Sequence, residues 1–158
     1  MEVTFLERKG NDLLDKLTGI IGPLGKVERR GPKRYYVYTS SENIKEIVNK
    51  LLKELGDCYI SAITGVELED CFRVYYHIWN FTESVLLSII TETSKEKPEV
   101  PSLTDIIPGA IFHENEAYDL LGIKFIGHPN LRKNFVLPDN SPPDYFPLRM
   151  SQSKRGES

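Results

Sequence analysis

The densest group of chemically capable side chains lies between residues 113 and 119, where a histidine, three carboxylates and a tyrosine stand close together. The run His113-Glu114-Asn115-Glu116-Ala117 begins like the zinc helix of a metalloprotease, but that helix requires a second histidine at position 117, which is alanine. Glu114 and Glu116 lie about 200° apart on a helix, so they cannot chelate one ion together. Helical periodicity therefore predicts that Glu114, Glu116 and Asp119 form a solvated or salt-bridging helix face.

A stand-alone acid–base enzyme is the alternative function for this region. Such an enzyme would use carboxylates, a phenol and an imidazole, and the candidates are Glu114, Tyr118, Asp119 and His128. His128 has no carboxylate or cysteine close to it in the sequence, so we expect it to serve a structural turn. Residues 19–27 fail as a phosphate loop, because the first glycine and the final hydroxyl of that motif are out of place.

The overall composition excludes several classes of protein and of site. The 158 residues include 20 Lys and Arg against 23 Asp and Glu, a formal net charge of −3, which provides no general field for a nucleic acid. Cys58 and Cys71 can neither build a disulfide scaffold nor supply four ligands to zinc or to an iron–sulfur cluster. No apolar stretch approaches the roughly 18 residues of a membrane span, and no export signal is present. We therefore expect no metal, no cofactor, no nucleic acid partner and a cytosolic location.

A basic hairpin is the local exception to this charge balance. Two strand-like runs flank Gly31-Pro32. The hairpin carries Lys26, Arg29, Arg30, Lys33 and Arg34 beside Tyr35 and Tyr36. Such a hairpin could contact RNA or an anionic lipid surface. A solvated hairpin is the simpler interpretation, and it is the one we expect.

Hydrophobic periodicity predicts the elements that must position these residues. A short helix around residues 13–17, capped by Asn11 or Asp12, precedes the hairpin, and an amphipathic helix over 42–55 follows it. Strands at 58–67, 72–80 and 85–93 come next, and then a helix over 103–121 that is interrupted at Pro108-Gly109. This order indicates an α+β domain over residues 1–122, with helices on one face of a mostly antiparallel sheet.

The remaining 36 residues, 123–158, are predicted to form an extended docking arm. They show little periodicity and contain Pro129, Pro138, Pro142, Pro143 and Pro147. A stretch of this length without secondary structure is usually functional or disordered. Its proline-stiffened backbone would lose less entropy on binding than a flexible chain, so the arm suits recognition.

The stretch from Gly109 to Lys133 resembles the signature of the 30 kDa subunit of respiratory NADH dehydrogenase, the cofactor-free peripheral-arm subunit of complex I and its relatives. The family pattern is Glu-Arg-Glu-x-Tyr-Asp-x-Phe-Gly-Ile-x-Phe-x-Gly-His-Pro-Asp-Leu-Arg-Arg, followed later by Pro-Leu-Arg. This sequence matches that pattern at Glu114, Glu116, Tyr118, Asp119, Gly122, Ile123, Phe125, Gly127, His128, Pro129, Leu131 and Arg132, and at Pro147-Leu148-Arg149.

The resemblance implies a role without an active site. The chain would be an accessory subunit that packs against the large catalytic subunit and accompanies an iron–sulfur small subunit, on the cytoplasmic side of the cell membrane and bound to it only through the complex. The residues implied at the subunit interface are Glu114, Glu116, Tyr118, Asp119, Gly122, Gly127, His128, Pro129, Leu131, Arg132, Pro147, Leu148 and Arg149.

The departures from the family pattern indicate which type of complex contains the chain, here called the host complex. Asn115 and Lys133 stand where the family has arginine, Leu121 where it often has phenylalanine, and Met150-Ser151 where Lys-Asp is usual. These differences favour an archaeal host of the ferredoxin-linked membrane-bound hydrogenase or sulfur-reducing type. An NADH or other donor:quinone oxidoreductase is the alternative host.

The sequence also allows predictions for the backbone at two glycines and for the contacts of two arginines. Gly122 is expected to adopt a left-handed conformation at the end of the last helix, and Gly127 to allow close backbone approach near His128. Arg132 and Arg149 are expected to anchor the arm on the large subunit through charge-assisted hydrogen bonds. The arm would then be mobile in the isolated chain and ordered in the complex.

Overall fold

The computed structural model describes the backbone of residues 2–153 and the side chains of residues 12–151. The helices are α1 (Glu2–Ile21), α2 (Ile44–Leu55), α3 (Ala110–Leu121) and α4 (Met150–Ser153). The strands are β1 (Gly25–Gly31), β2 (Arg34–Thr39), β3 (Cys58–Glu67), β4 (Cys71–Asn80), β5 (Val85–Ser94), β6 (Glu99–Pro101) and β7 (Lys124–Ile126). Short 3-10 turns at Gly22–Leu24 and Ser41–Asn43 lead into β1 and α2.

The main sheet has five strands in the order β1-β2-β5-β4-β3. The hairpin β1–β2 and the meander β3–β4–β5 are antiparallel, whereas β2 and β5 run parallel. The prediction of an α+β fold with a mostly antiparallel sheet is confirmed. The parallel pair was not predicted, because it joins strands that are separated in sequence by α2 and two further strands.

Alternation along the strands and the apolar stripe of α2 build the core. In β4 the residues alternate between buried and partly buried, so one face of the sheet is packed inside. The stripe on α2 consists of Ile44, Ile47, Val48, Leu51 and Leu55, all buried in the same cluster as the inward residues of the sheet. Gly56, at φ 76°, ends this helix, as a glycine at the helix C-terminus commonly does.

Two helix boundaries differ from the sequence prediction. The first helix begins at Glu2, so the expected caps at Asn11 and Asp12 are wrong. Strong helix formers such as Glu7, Arg8 and Lys9 extend the helix beyond its apolar part. The last helix begins at Ala110 and not at residue 103, because Pro108 has no amide hydrogen with which to continue the preceding turn.

The chain beyond α3 begins with a strand. β7 pairs in parallel with β6, so residues 124–126 are joined to residues 99–101. After β7 the backbone turns at Gly127, where φ is 93°, and runs without helix or strand as far as residue 149. We call residues 127–149 the C-terminal segment.

Candidate functional site

A single carboxylate organises the middle of the C-terminal segment. Asp119 on α3 is fully buried, with 0% of its surface exposed. Its Oδ1 accepts a hydrogen bond from the backbone amide of Asn134 at 2.8 Å, and its Oδ2 accepts bonds from the amides of Val136 and Leu137, both at 2.9 Å. Consecutive amides arranged around an anion in this way form a strong anion-binding nest. Asp119 therefore fixes the segment to α3.

Lys133 completes this cluster from the segment side. Its Nζ lies 3.1 Å from Oδ1 of Asp119 and donates to the backbone oxygens of Asp119 and Tyr145, each at 2.9 Å. The ammonium group also lies 4.2 Å from the centre of the Phe146 ring. Lys133 thus ties two distant parts of the segment to the same point on α3.

The environment of Asp119 changes the acidity of its carboxyl group. Burial acts to raise the pKa, but hydrogen bonds from the amides of Leu137, Val136 and Asn134 and from Lys133 outweigh it and lower the pKa to about 2. The ordinary value is 3.8. A lowered pKa in the folded state means that ionised Asp119 stabilises the fold.

We expect this stabilisation to depend on pH in the acid range. It should be complete above about pH 4 and should be lost as the pH falls towards 2, a difference of about 2 kcal/mol in the free energy of unfolding. Urea unfolding of the wild type and of Asp119→Asn at a series of pH values from 7 to 2 measures it. The difference in the free energy of unfolding between the wild type and Asp119→Asn should become smaller as the pH falls. A difference that stays constant would contradict the lowered pKa of Asp119.

His128 and Asn115 fix the start of the segment. The Nδ1 atom of His128 accepts the amide hydrogen of Asn130 at 3.0 Å, so its Nε2 carries the proton and donates to the backbone oxygen of Ile111 at 3.0 Å. Asn115 donates to the same oxygen at 3.0 Å, and its Oδ1 accepts the amide hydrogen of Arg132 at 3.0 Å. The structural turn expected for His128 is present, and both of its ring nitrogens are occupied.

Arg149 and Gly122 close the segment at its far end. Nε of Arg149 donates to the backbone oxygen of Leu121 at 2.7 Å, and its guanidinium lies over the rings of Phe146 and Phe72 at 4.5 and 5.3 Å. Gly122 is left-handed, as predicted, at φ 76° and ψ 20°. A Cβ there would lie 2.6 Å from a guanidinium nitrogen of Arg149 and 2.9 Å from the Phe146 ring. The close approach requires glycine.

These contacts revise two expectations about the segment. Arg149 was expected to anchor the arm on another subunit, but its Nε is already bonded within its own chain. The arm was expected to be mobile without a partner, but its backbone amides are bonded to Asp119 and Asn115 of α3, and its His128 side chain is bonded to the backbone oxygen of Ile111. The segment is therefore shaped by its own domain.

Periodicity predicted a solvated or salt-bridging face for the carboxylates of α3, and of these three only Asp119 forms an ion pair among the described residues, with Lys133, and only Glu116 faces solvent. Glu114, like Asp119, has 0% exposure, and only Glu116 is exposed. Oε2 of Glu114 accepts from the hydroxyl of Ser102 at 2.6 Å and Oε1 from the amide of Leu103 at 2.7 Å. Burial raises the pKa of Glu114 in spite of these two hydrogen bonds. Glu114 holds the loop before α3, just as Asp119 holds the segment after it.

The groups considered for acid–base catalysis do not converge on a common site. Glu114 is bonded to the loop at residues 102–103, Asp119 to the segment, and His128 to two backbone groups. Among the side chains of residues 12–151, no three His, Cys, Asp or Glu groups come together as they would around a metal ion. In the part of the chain that the structure describes, no helix is long and apolar enough to cross a bilayer.

The basic hairpin is partly neutralised by its own acidic residue. Glu28 forms ion pairs with Lys26 at 2.8 Å and with Arg30 at 2.9 Å. Tyr35 is buried in the core and cannot stack on a base. The arrangement fits the solvated hairpin that the sequence favoured over an RNA or lipid contact.

The outer side of α3 and of the C-terminal segment exposes apolar and cationic side chains. Phe112 is 64% exposed and its ring lies 6.2 Å from that of Phe135, over which the exposed Arg132 places its guanidinium at 5.3 Å. Val136 and Leu148 are 52% and 56% exposed. Phe112 and Val136 were missed by the sequence analysis, because an apolar residue outside a periodic pattern carries no signal of its exposure. We call the exposed side chains of Phe112, Arg132, Val136, Tyr145 and Leu148 the outer patch.

The predicted interface residues divide by burial into those that contribute surface and those that shape it. Exposed are Glu116, Gly127, Pro129, Arg132 and Leu148; partly buried are Tyr118, His128, Leu131, Pro147 and Arg149; buried are Glu114, Asp119 and Gly122. The buried residues can influence a partner only by fixing the loop before α3 or the segment after it.

The sequence of this chain is similar to the sequences of several known proteins. The family model described as "Respiratory-chain NADH dehydrogenase, 30 Kd subunit" matches residues 37–158. The C subunit of NADH-quinone oxidoreductase from Roseiflexus sp. (strain RS-1) is 34% identical over 142 residues, covering 87% of this chain and 76% of that one. The C/D subunit of NADH-quinone oxidoreductase from Phocaeicola vulgatus is 39% identical over 102 residues, which are 63% of this chain. The matched part spans only 20% of the Phocaeicola protein.

Solved structures share the fold. A chain of the membrane-bound sulfane sulfur reductase, an archaeal respiratory membrane complex, superposes with a TM-score of 0.76 at 18% identity, covering 94% of this chain and 91% of that one. The trypsin-resistant fragment of Nqo5 superposes with a TM-score of 0.60 at 24% identity, covering 78% of this chain and 99% of the fragment. At these identities the likeness concerns the fold alone.

Proposed function

The chain belongs to the family of the 30 kDa subunit of respiratory-chain NADH dehydrogenase, and from this membership we propose that it is a cofactor-free accessory subunit of a membrane-associated, ion-translocating redox complex. In this role it lies in the peripheral arm of the complex, on the cytoplasmic side of the membrane. It packs against the large catalytic subunit, accompanies an iron–sulfur small subunit, and reaches the membrane only through the complex.

The observation that carries this proposal is the combination of a fixed backbone and an exposed outer patch. The C-terminal segment is held by the buried carboxylate of Asp119, yet side chains around it remain in solvent. A segment that is already shaped loses less conformational entropy on binding. The neighbouring side chains of Phe112, Phe135 and Arg132 are aromatic and arginine residues, the types that often dominate interface energy. The outer patch is therefore the surface that meets the large subunit.

Within this surface the predicted residues have two roles. Glu116, Gly127, Pro129, Arg132 and Leu148 contribute exposed area, together with Phe112, Val136 and Tyr145. Glu114, Asp119 and Gly122 act through the backbone they fix, and Arg149 does so through its bond to Leu121.

Arg132→Ala tests the outer patch directly. Arg132 makes no ion pair within the described residues, only an exposed cation–π contact with Phe135, so its loss should lower the free energy of unfolding of the isolated chain by no more than about 1 kcal/mol. At a subunit interface the same truncation should cost about 2 kcal/mol or more, roughly thirtyfold in affinity. Thermal unfolding of the isolated chain and co-purification with the native complex measure the two effects.

Arg30→Ala is the matched control for this experiment. Arg30 also lies over an aromatic ring, that of Tyr36 at 5.4 Å, but on the hairpin. Its truncation should leave the chain in the complex. If Arg132→Ala stayed in the complex as well, or unfolded at a markedly lower temperature than the wild type, the docking role of Arg132 would be refuted.

We further propose a host of the ferredoxin-linked hydrogenase or sulfur reductase type. The support is the set of departures from the family pattern, among them Asn115, which here bonds Ile111 and Arg132 where the family has arginine. A donor:quinone oxidoreductase is the second candidate, favoured by the 34% identity to the Roseiflexus protein. The sequence of the large subunit that co-purifies with the tagged chain decides whether the host is a hydrogenase. Two Cys-x-x-Cys pairs and bound nickel would indicate a hydrogenase, and their absence would indicate quinone or sulfur chemistry.

A further inference from the structure

The two edges of the main sheet differ in their protection against pairing with another chain. β1, at one edge, carries four charged residues within its seven positions, whereas β3, at the other, has no charged residue before its last, Glu67. Charges on an edge strand discourage the addition of a further strand. Among the described residues, the outer backbone groups of β3 have no strand partner, because β3 ends the sheet and pairs only with β4. β3 is therefore a long edge without a charged residue before Glu67, and beyond the bulge between Ile60 and Ala62 it pairs regularly with β4 on its inner side only.

A groove of about 340 Å³ runs along this edge between β3 and α3. On the β3 side it is lined by four consecutive residues, 62–65. Successive residues of a strand point to opposite faces of the sheet, so four in a row can line one groove only if it follows the edge of the strand. On the α3 side the lining includes the apolar side chains of Ala117 and Leu120. The groove thus offers backbone hydrogen-bonding groups on one wall and apolar contacts on the other.

The side chains that line the groove indicate what kind of peptide segment would bind in it. Glu116 lines the groove, is exposed, and has no ion-pair or hydrogen-bond partner among the described side chains. A carboxylate in this position complements a basic side chain. Leu148 of the C-terminal segment also lines the groove and is 56% exposed, so a bound segment would meet an apolar side chain there.

We propose that the groove receives an extended segment of a neighbouring subunit, which adds as a further strand to the outer edge of β3 and places a basic side chain against Glu116. The inference rests on the proposed function only in requiring that the chain is part of a complex. Strand addition gives affinity through main-chain hydrogen bonds and specificity through alternate side chains. Here the apolar side chains of the added strand meet α3, and the basic one meets Glu116.

Hydrogen exchange in the native complex tests the strand addition. Amide exchange of residues 58–67 is measured by mass spectrometry in the isolated full chain and in the purified complex. Outward amides of an edge strand exchange readily, and their pairing should slow exchange by about a hundredfold or more. Exchange of these amides at the same rate in the complex as in the isolated chain would overturn the proposal.

Charge reversal tests the basic partner. Glu116→Lys should weaken retention in the complex by about tenfold or more, whereas Glu42→Lys, the same change at an exposed site outside the groove, should not. Carbodiimide cross-linking of the wild-type complex should join Glu116 to a lysine of another subunit. Equal behaviour of the two variants would overturn the proposal, as would a cross-link from Glu116 to Lys154 of the same chain.

The two proposals fail in different ways. If the chain co-purifies with the complex but residues 58–67 exchange as they do in isolation, the subunit role stands and the strand addition is wrong. If the unmodified chain enters no complex, both are wrong.

Discussion

Replacing Asp119 by asparagine is expected to lower the free energy of unfolding by about 3–5 kcal/mol, the usual cost of breaking a buried charge network by removing one partner. The carboxylate accepts three backbone amides and faces Lys133. An asparagine has the same shape as an aspartate, but its NH2 group would face one or more of these backbone N–H donors and could not accept their hydrogen bonds. It would also leave the Lys133 ammonium without a counter-charge. Urea unfolding of the isolated chain at pH 7 measures the loss.

The same variant should release the C-terminal segment locally. Amide exchange at Asn134, Val136 and Leu137 should become faster than in the wild type by a larger factor than exchange in α2, because those amides lose their acceptor. Glu116→Gln, a similar change at an exposed position of the same helix, is the control and should alter neither measurement by much. Wild-type stability and unchanged exchange in Asp119→Asn would show that Asp119 does not hold the segment.

Gly122→Val is expected to destabilise the chain by about 2 kcal/mol or more and to weaken assembly with it. A left-handed conformation costs a residue with a β-carbon about 1–2 kcal/mol, and overpacking typically adds about 1–3 kcal/mol. The new Cβ would stand 2.6 Å from a guanidinium nitrogen of Arg149. Arg149 would have to move, which would break its bond to Leu121 and loosen the end of the C-terminal segment.

Gly109→Ala is the matched control for this prediction. Gly109 has φ −60° and a Cβ there would meet nothing within 4 Å, so alanine should be tolerated or slightly stabilising. Thermal unfolding of both variants and their retention in the native complex give the comparison. Equal unfolding temperatures for Gly122→Val and Gly109→Ala would contradict the account of the close contact between α3 and the segment.

Helices and strands whose apolar residues recur with a regular period could be predicted from the sequence. The apolar stripe on α2 and the alternating apolar residues of β4 each predict one buried face. In the structure both elements have a buried face at these residues. The left-handed Gly122 was also predictable, because glycine after the last apolar residue of a helix commonly has this conformation.

The buried carboxylates could not be predicted by the same reasoning. Periodicity assigns acidic residues to solvent, but Glu114 and Asp119 are buried because their partners are backbone amides. Those amides belong to residues 103 and 134–137, which have no periodic pattern of their own. The family resemblance identified both residues as important but did not show what they contact. The contacts themselves show that Glu114 fixes the loop before α3 and that Asp119 fixes the segment after it.

Hydroxyl-radical footprinting of the chain, alone and within its native complex, tests most directly whether the outer patch is a docking surface. In the isolated chain Phe112, Tyr145 and Leu148 should all be oxidised, since each is exposed. In the complex their oxidation should fall several-fold, while Tyr36, a partly exposed side chain of the hairpin at the opposite end of the sheet, should be oxidised as before. Equal oxidation of the outer patch in both samples would contradict the account, because the segment that Asp119 holds in place would then face solvent in the assembled complex.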